Sequence, residues 1–450
     1  MRSAVVLEEP SAGTSGVGDP YWPLDGNGGI DVASYTILNR YDFRTGMLKG
    51  RTVIKLTATQ DLSSFSLDFL LPVKRVSIDT ARAGHVHDGH ELRITPRNAD
   101  RSLRAGMTYV VVVKYAGRPR RERYAGERNW LADRHEVVTM NEPHMAPWWF
   151  PANDHPADKA MVRMEITVPR GKEVIANGVL QRVTRDRRWT TWHWRADEPM
   201  TSYLAFFAAG DFTIARGKRD GLPWLVAVSK RLSPQEQRVS MRLMRRTPGI
   251  VAGLERDLGA YPFSVTGGIT TSLNPGFALE NQTRPIYPFV GDYVSLVVHE
   301  LAHQWFGDHV AVERWRDIWL NEGFATFMEW RWSEQHGGRS AAGTLASTYR
   351  LQSESFWELT IGDPGAARVF DGAVYDRGAM TLQALRNRVG DAVFWEIVRT
   401  WIAEQGGGNA SSADFEALAT RLSGQDLSSF FTAWLRTPSR PEPTEANGLA

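Results

Sequence analysis

The spacing of apolar residues changes character once along this 450-residue chain, and this change restricts the possible folds more than any other feature. Up to about residue 216, apolar residues form short alternating or β-branched runs, such as residues 52–59 and 161–168, which are typical of strands. From about residue 233, apolar residues recur at helical spacing, and Ser233 followed by proline is a typical helix start. The pattern predicts a β-rich first domain and a mainly α-helical second domain.

Length and turn signals predict the domain boundaries. A chain of 450 residues corresponds to roughly two to four domains. Segments rich in glycine, serine and proline flank the two patterned regions and are typical of loose tails. We predict a flexible N-terminal tail at 1–20, a β-domain at 21–215, a helical domain at 216–437 and a flexible C-terminal tail at 438–450. Helical periods in the second domain cover residues 292–306, 315–335, 376–389 and 412–422.

Composition excludes several classes of protein. The chain has no cysteine, which excludes disulfides, thiolate metal sites and cysteine nucleophiles. Its formal net charge of +2 argues against a nucleic-acid binder. No run approaches the roughly 18 apolar residues of a membrane helix, so we expect no membrane span. The first residues do not resemble a signal peptide, which leaves open a cytoplasmic protein or an exported one whose leader has been removed. Oligomeric state also stays open.

A short motif in the helical half points to a metal. Residues 299–303 read His-Glu-Leu-Ala-His, and positions i and i+4 share one face of a helix, so His299 and His303 can bind one ion together. A catalytic zinc site needs a third protein ligand and an open position for water. Glu322, at the start of the next helical pattern, can supply the third ligand if a turn brings the two helices side by side. A buried structural histidine pair is the alternative, and Glu322 at this spacing favours the metal.

The same segment carries a resemblance to a known family. His-Glu-Leu-Ala-His-Gln-Trp-Phe-Gly-Asp at 299–308 and Trp-Leu-Asn-Glu-Gly at 319–323 closely resemble the gluzincin aminopeptidases of the M1 (aminopeptidase N) family. The resemblance implies an antiparallel, saddle-like β-domain followed by a thermolysin-like, mainly α-helical catalytic domain. It also implies one zinc ion held by His299, His303 and Glu322, with Glu300 as general base. The helical pattern ends near Leu435, about where the catalytic domain should end, so the chain is expected to be a short form that lacks the family's C-terminal helical domain. Cobalt or manganese could replace zinc in vitro.

A second segment resembles the family's exopeptidase motif. Residues 277–281 read Phe-Ala-Leu-Glu-Asn, where the family usually has Gly-Ala-Met-Glu-Asn. By resemblance, Glu280 binds the free α-ammonium group of a peptide, the backbone near Ala278 aligns the peptide, and Asn281 completes the substrate-binding motif. Phe277 replaces the usual glycine, which leaves the side-chain preference of the first pocket open. A surface loop with a solvated glutamate is the alternative.

Two further residues are assigned by resemblance. Tyr375, in Val-Tyr-Asp-Arg-Gly at 374–378, stands where the family has the tyrosine that stabilises the tetrahedral oxyanion, although a half-buried packing tyrosine is the alternative. Glu142 follows Met140, which occupies the position of a family glutamine, and Glu142 is expected to be a second ammonium contact. A solvated loop glutamate is the alternative for Glu142.

Two other clusters have simpler interpretations. The histidines of His-Val-His-Asp-Gly-His at 85–90 could form a second metal site, but the Asp-Gly turn predicts an exposed hairpin tip. The basic stretch at 118–123 is interpreted as a solvated loop.

These observations predict a zinc peptidase that removes N-terminal residues from peptides. An endopeptidase that processes longer peptides through an open cleft is the main alternative. Epoxide hydrolysis, known in one branch of the family, and a catalytically idle peptide-binding protein are more remote alternatives. The physiological substrate stays open.

Overall fold

A computed structural model describes residues 9–97 and 102–449, which divide into two compact units. The first unit ends at Asp211 and the second begins at Phe212. The division lies a few residues before the predicted boundary, because strand Phe212–Arg219 pairs with strand Leu222–Ser229 of the second unit. Among the described residues, none of the helices is both long and apolar enough to span a lipid bilayer.

The first unit consists mainly of strands, together with short 3-10 turns. The strands are β1 Ser11–Ala12, β2 Ile30–Asp42, β3 Met47–Ala58, β4 Leu62–Asp68, β5 Val73–Ile78, β6 Ala81–Asp88, β7 Glu91–Thr95, β8 Thr108–Gly117, β9 Leu131–Ala132, β10 Val137–Val138, β11 Met161–Pro169, β12 Glu173–Ala176, β13 Val179–Arg185, β14 Trp189–Arg195 and β15 Phe207–Gly210.

Eleven of these strands form one sheet in the order β1-β4-β7-β6-β5-β8-β3-β2-β11-β14-β13, and β12-β15-β10-β9 form a second sheet. Within the large sheet the described pairs are antiparallel except β1 with β4 and β2 with β11. Side chains of β2, β3 and β11 alternate between buried and exposed, which matches the alternating apolar pattern of the sequence. The predicted β-rich first domain is therefore confirmed.

The second unit combines a small sheet with ten helices among its described residues. Its strands are β16 Phe212–Arg219, β17 Leu222–Ser229, β18 Thr266–Thr270, β19 Ile286–Tyr287, β20 Ala311–Val312 and β21 Asn409–Ala410. Its helices are α1 Pro234–Met244, α2 Thr247–Leu258, α3 Val294–Ala302, α4 Trp319–Gln335, α5 Ala341–Leu351, α6 Glu354–Trp357, α7 Gly372–Val389, α8 Asp391–Gln405, α9 Ser412–Ser423 and α10 Ser428–Phe431. A π-helical turn at Thr432–Arg436 follows α10.

Local sequence signals explain several helix ends. Ser233 caps the start of α1, as predicted. Its hydroxyl oxygen accepts a hydrogen bond from the backbone of Glu236, and the Glu236 carboxylate accepts one from the backbone of Ser233, which completes a capping box. Helix α3 is shorter than predicted because the chain leaves it after Ala302 and reverses at Gly307, whose φ is +115°. Helix α7 begins at Gly372, a few residues before the predicted start, because Asp371 caps it.

The described parts of both terminal segments pack against their domains, although composition predicted loose tails. Among residues 9–20, β1 pairs with β4 and Asp19 is buried; residues 1–8 lie outside the described part. At the other end, the carbonyl of Pro441 accepts a hydrogen bond from the hydroxyl of Tyr349, and the carbonyl of Gly448 accepts one from the amide of Asn387. Prolines and glycines still offer backbone carbonyls, so a segment rich in them can pack against its domain.

Candidate active site

Three ligand-type side chains meet in the second unit. Helix α3 carries His299, the residue that caps its end is His303, and α4 carries Glu322 in its first turn. Oε2 of Glu322 lies 3.3 Å from Nε2 of each histidine, and the two Nε2 atoms are 3.1 Å apart. All three side chains are buried. The structure thus brings together the three residues that the motif predicted as ligands.

The chain reversal between α3 and α4 explains this arrangement. Gly307, with its positive φ, packs against the side chain of Asn321, where a Cβ atom would lie 3.2 Å away. Asn321 directly precedes Glu322, so the turn sets the start of α4 beside the end of α3. The i, i+4 spacing then places both histidines on the face of α3 that meets Glu322.

Neighbouring acceptors orient the two histidines. Nδ1 of His299 lies 2.9 Å from a carboxylate oxygen of Glu329, and Nδ1 of His303 lies 3.0 Å from the carbonyl of Phe306. Both acceptors require a proton on Nδ1, which leaves the lone pair of each Nε2 directed at the centre. Sequence reasoning does not identify Glu329, although it follows Glu322 by seven residues on α4, a spacing that returns to the same helix face.

The donor set fits a zinc ion. Ligands at about 2.0–2.2 Å from a tetrahedral metal are separated by roughly 3.4 Å, close to the 3.1–3.3 Å between these donor atoms. Burial alone would raise the pKa of Glu322, but the charges and hydrogen bonds of His303 and His299 outweigh it and lower the pKa well below its usual range. Glu322 is therefore held as a carboxylate, the form that binds metal.

Two more carboxylates approach this centre. The carboxylate oxygens of Glu280 and Glu300 and a ring nitrogen of His303 lie within 4.8 Å of one another. Both glutamates are buried. Burial raises the pKa of Glu300 to about 8, partly offset by His299 and His303. A glutamate with this pKa can both accept and release a proton near neutral pH.

Gln304 holds the segment that carries Glu280. Its Nε2 donates to the carbonyl of Glu280 at 2.8 Å, while its Oε1 accepts from the backbone of Thr283 at 2.7 Å and from the hydroxyl of Tyr261 at 3.2 Å. Gln304 is fully buried. Sequence reasoning does not assign it a role, although it directly follows His303 inside the quoted motif.

The rest of the exopeptidase-like segment forms a tight hairpin. Leu279 and Ile286 exchange two backbone hydrogen bonds, and the carbonyl of the buried Asn281 accepts one from the backbone of Arg284. Ala278 is half-buried directly before this hairpin. Phe277 is 40% exposed. The hairpin therefore fixes the backbone on either side of Glu280.

Tyr375 lies beside the three-residue cluster. It is half-buried in the first turn of α7, and its ring stacks on His299 with centroids 6.0 Å apart and planes 20° apart. Glu142 belongs to the first unit, where it is half-buried in the loop after β10 and precedes a cis peptide bond to Pro143. Its contact with a substrate stays a prediction.

Family comparisons agree with this arrangement. A buried His-His-Glu set on two packed helices, in a unit that follows a sheet-rich unit along the chain, is the arrangement of a two-domain zinc metallopeptidase. Residues 34–204 match the peptidase M1 N-terminal domain, and residues 290–434 match the peptidase family M1 domain. Together the matches cover well over half of the chain, which belongs to peptidase family M1. The family predicted from the motifs is confirmed, and the single catalytic zinc is a property of this family.

Individual relatives show how far the similarity extends. A leucyl aminopeptidase of Saccharolobus solfataricus is 23% identical over 92% of this chain and 54% of its own length. The tricorn protease-interacting factor F2 of Thermoplasma acidophilum is 26% identical over 68% of this chain and 41% of its own length. The chain thus spans about half the length of the curated relatives it matches.

Solved structures include a chain of similar size. The M1 zinc metallopeptidase of Deinococcus radiodurans is 26% identical, with a TM-score of 0.83 over 95% of this chain and 99% of its own. A mutant of that enzyme has been solved with a Tyr-Ser-Ala substrate bound.

Proposed function

We propose that this protein is a zinc aminopeptidase, which removes residues one at a time from the free N-termini of peptides. The observation that carries the proposal is the position of the Glu280 carboxylate, within 4.8 Å of the Glu300 carboxylate and a nitrogen of His303. An anion held this close to the hydrolytic centre can bind the α-ammonium group of a peptide only when the first peptide bond lies at that centre. The geometry therefore favours single-residue removal.

The metal is held by the buried cluster. His299, His303 and Glu322 are the proposed ligands, and their donor atoms have suitable spacing and orientation. Zinc, when bound there, polarises the scissile carbonyl and lowers the pKa of water to about 7. Glu329 and the carbonyl of Phe306 hold the histidine rings in the ligand orientation.

Glu300 is the proposed proton carrier. It follows the first histidine, and burial raises its pKa to about 8. In the proposed mechanism its carboxylate accepts a proton from the attacking water and then passes that proton to the departing amine nitrogen. The buried setting suits both steps, because the protonated form is neutral and needs no solvation.

The remaining predicted residues would bind and orient the peptide. The hydroxyl of Tyr375 would donate to the oxyanion, whose charge develops only as the carbonyl is attacked, so this contact would lower the barrier. The backbone near Ala278 would align the peptide, and Asn281 would complete that surface. Glu142 would be a second ammonium contact.

A mixed pool of peptides separates the proposed activity from its alternatives. Half of the pool has free N-termini and half is N-acetylated, and mass spectrometry follows both halves with and without a chelator. We expect stepwise loss of single residues from the free half alone, abolished by the chelator. Internal cuts in both halves would instead establish an endopeptidase, and zinc binding without any cleavage would establish an idle peptide-binding protein.

Substitution of Glu280 tests the residue that carries the proposal. Glu280→Gln keeps the shape but removes the charge, and a charge-assisted hydrogen bond of about 1.5–3 kcal/mol corresponds to roughly a 10- to 100-fold rise in KM for peptides with a free N-terminus. Glu358→Gln, at an exposed position, is the matched control and should leave KM unchanged. An unchanged KM in Glu280→Gln would contradict the assignment.

A further inference from the structure

A second group of ligand-type side chains lies in the first unit. One donor atom each from Asp68, His90 and Glu91 lies within 4.8 Å of the others. Asp68 ends β4, His90 lies in the turn between β6 and β7, and Glu91 is the first residue of β7. The turn confirms the hairpin predicted at residues 85–90, but its predicted exposure is wrong for His90. The His90 side chain is only 6% exposed, because the pairing of β7 with β4 places this end of the hairpin against the end of β4.

Strand register forces the two acids together. Asp68 and Glu91 are direct partners across the antiparallel pair of β4 and β7. Like charges directly opposite each other destabilise a sheet. Asp68 is 1% exposed and Glu91 is 12% exposed, so water screens this repulsion poorly. A bound cation would relieve this repulsion.

Distances in this cluster resemble those of the proposed catalytic zinc site. Nε2 of His90 lies 3.5 Å from Oδ1 of Asp68 and 3.8 Å from Oε1 of Glu91. The same nitrogen lies 3.3 Å from the carbonyl oxygen of Leu24. Three oxygens therefore lie within 3.8 Å of one imidazole nitrogen, at separations close to or slightly larger than those between tetrahedral zinc ligands.

One carboxylate oxygen of Asp68 lies beside His90 without a hydrogen bond to any described residue. Its Oδ2 accepts hydrogen bonds from the backbone of Asp154 at 2.7 Å and from the amide of Asn27 at 3.3 Å. Its Oδ1 is buried and has no hydrogen-bond partner among the described residues. Oδ2 of Asp154 and Oδ1 of Asn27 are also buried without such a partner in the described part of the chain. Buried acceptors outnumber donors here, and each unmatched acceptor is destabilising.

The neighbouring buried histidine, His144, is already engaged by other carboxylates. His144 contacts Asp25 at 2.5 Å and Glu127 at 3.3 Å. The cluster therefore has an excess of negative charge when its carboxylates are ionised.

We propose that Asp68, His90 and Glu91 bind a divalent transition-metal cation of the zinc type, with the carbonyl of Leu24 as a fourth ligand. An imidazole ligand favours zinc-type metals over calcium and magnesium, which prefer oxygen ligands alone. The ion would tie the segment before β2 to the end of β4 and to the β6–β7 hairpin. It would act as a structural cross-link, because its binding energy would add to the stability of the first unit.

Zinc stoichiometry of the full chain tests this site. Zinc per chain is measured by plasma mass spectrometry after dialysis, for the natural protein and for three variants. We expect two zinc ions in the natural protein and one in His90→Gln, with peptidase activity retained in this variant. We expect two in the control His85→Gln, a half-buried histidine of the same hairpin, and one in His299→Ala/His303→Ala, which lacks the proposed catalytic ligands.

A second measurement covers the case in which His90→Gln does not fold. Glu91→Gln is nearly isosteric and closer to the surface, and it should also lose one zinc ion. Zinc added to the metal-depleted His299→Ala/His303→Ala variant should raise its Tm, and Glu91→Gln in that background should remove the increase. One zinc ion in the natural protein and none in the double variant would overturn the proposal. Equal zinc in the natural protein, His90→Gln and Glu91→Gln would also overturn it.

Discussion

Gly323 of α4 and Gly378 of α7 meet at a helix crossing so close that a Cβ atom on Gly378 would lie 2.8 Å from the Cα atom of Gly323. A Cβ atom on Gly323 would in turn lie 2.9 Å from the backbone of Gly378. Gly323 directly follows Glu322, and Gly378 lies three residues after Tyr375. The crossing therefore sets the separation between the proposed third zinc ligand and the proposed oxyanion donor.

Gly378→Ala should disturb this separation. The added methyl group meets backbone rather than a flexible side chain, so the helices must move apart, and overpacking of this kind destabilises proteins by about 1–3 kcal/mol. We expect a lower free energy of unfolding in urea and a lower kcat. Gly372→Ala, on the same helix with nothing within 4 Å of the added atom, is the control and should change neither quantity. A fully active and stable Gly378→Ala would show that the helices tolerate a wider crossing.

Glu300→Gln should separate metal binding from catalysis. The amide keeps the shape of the side chain but cannot accept the proton, so kcat on a leucine anilide should fall by about 10²- to 10⁴-fold. Zinc content, measured on the same sample, should stay the same because Glu300 is not a proposed ligand. A Glu300→Gln variant with full activity would contradict the role of Glu300 as general base.

Glu329→Gln should weaken zinc binding although Glu329 is not itself a proposed zinc ligand. Its carboxylate lies 2.9 Å from Nδ1 of His299, and loss of such a partner typically lowers metal affinity by about 10- to 100-fold. Competition with a chromophoric chelator measures this change. Glu358→Gln, at an exposed glutamate, serves as control. Equal zinc affinities in the two variants would mean that Glu329 does not orient His299.

The stability of the first unit should depend on pH through His144. Burial would lower the pKa of His144, but its bonds to Asp25 and Glu127 outweigh burial and raise it to about 10. The folded pKa exceeds the unfolded value of about 6.5, so the stabilisation is complete below about pH 6.5 and falls by about 1.4 kcal/mol per pH unit as the pH rises towards 10.

Urea unfolding between pH 6 and pH 9.5 measures this dependence. His144→Gln should flatten the fall in the free energy of unfolding, whereas the control His135→Gln, at an exposed histidine, should keep the natural slope. A natural protein whose stability rises over this range would refute the assignment.

The sequence by itself determined the order of the two domains and the family, because strand and helix periods and the histidine spacing are local properties. His299 and His303 are four residues apart, so helix geometry alone predicts that they face one centre. The same local reasoning was insufficient for the terminal segments, which composition predicted to be loose.

Only the tertiary structure decided which distant residues meet. Glu329 joins His299 through helix packing, and Gln304 reaches the carbonyl of Glu280 across 24 residues of chain. Asp68 faces Glu91 because of the register between β4 and β7. A strand register that shifts by one residue would turn these carboxylates to opposite faces, and no local pattern in the sequence specifies which strands pair.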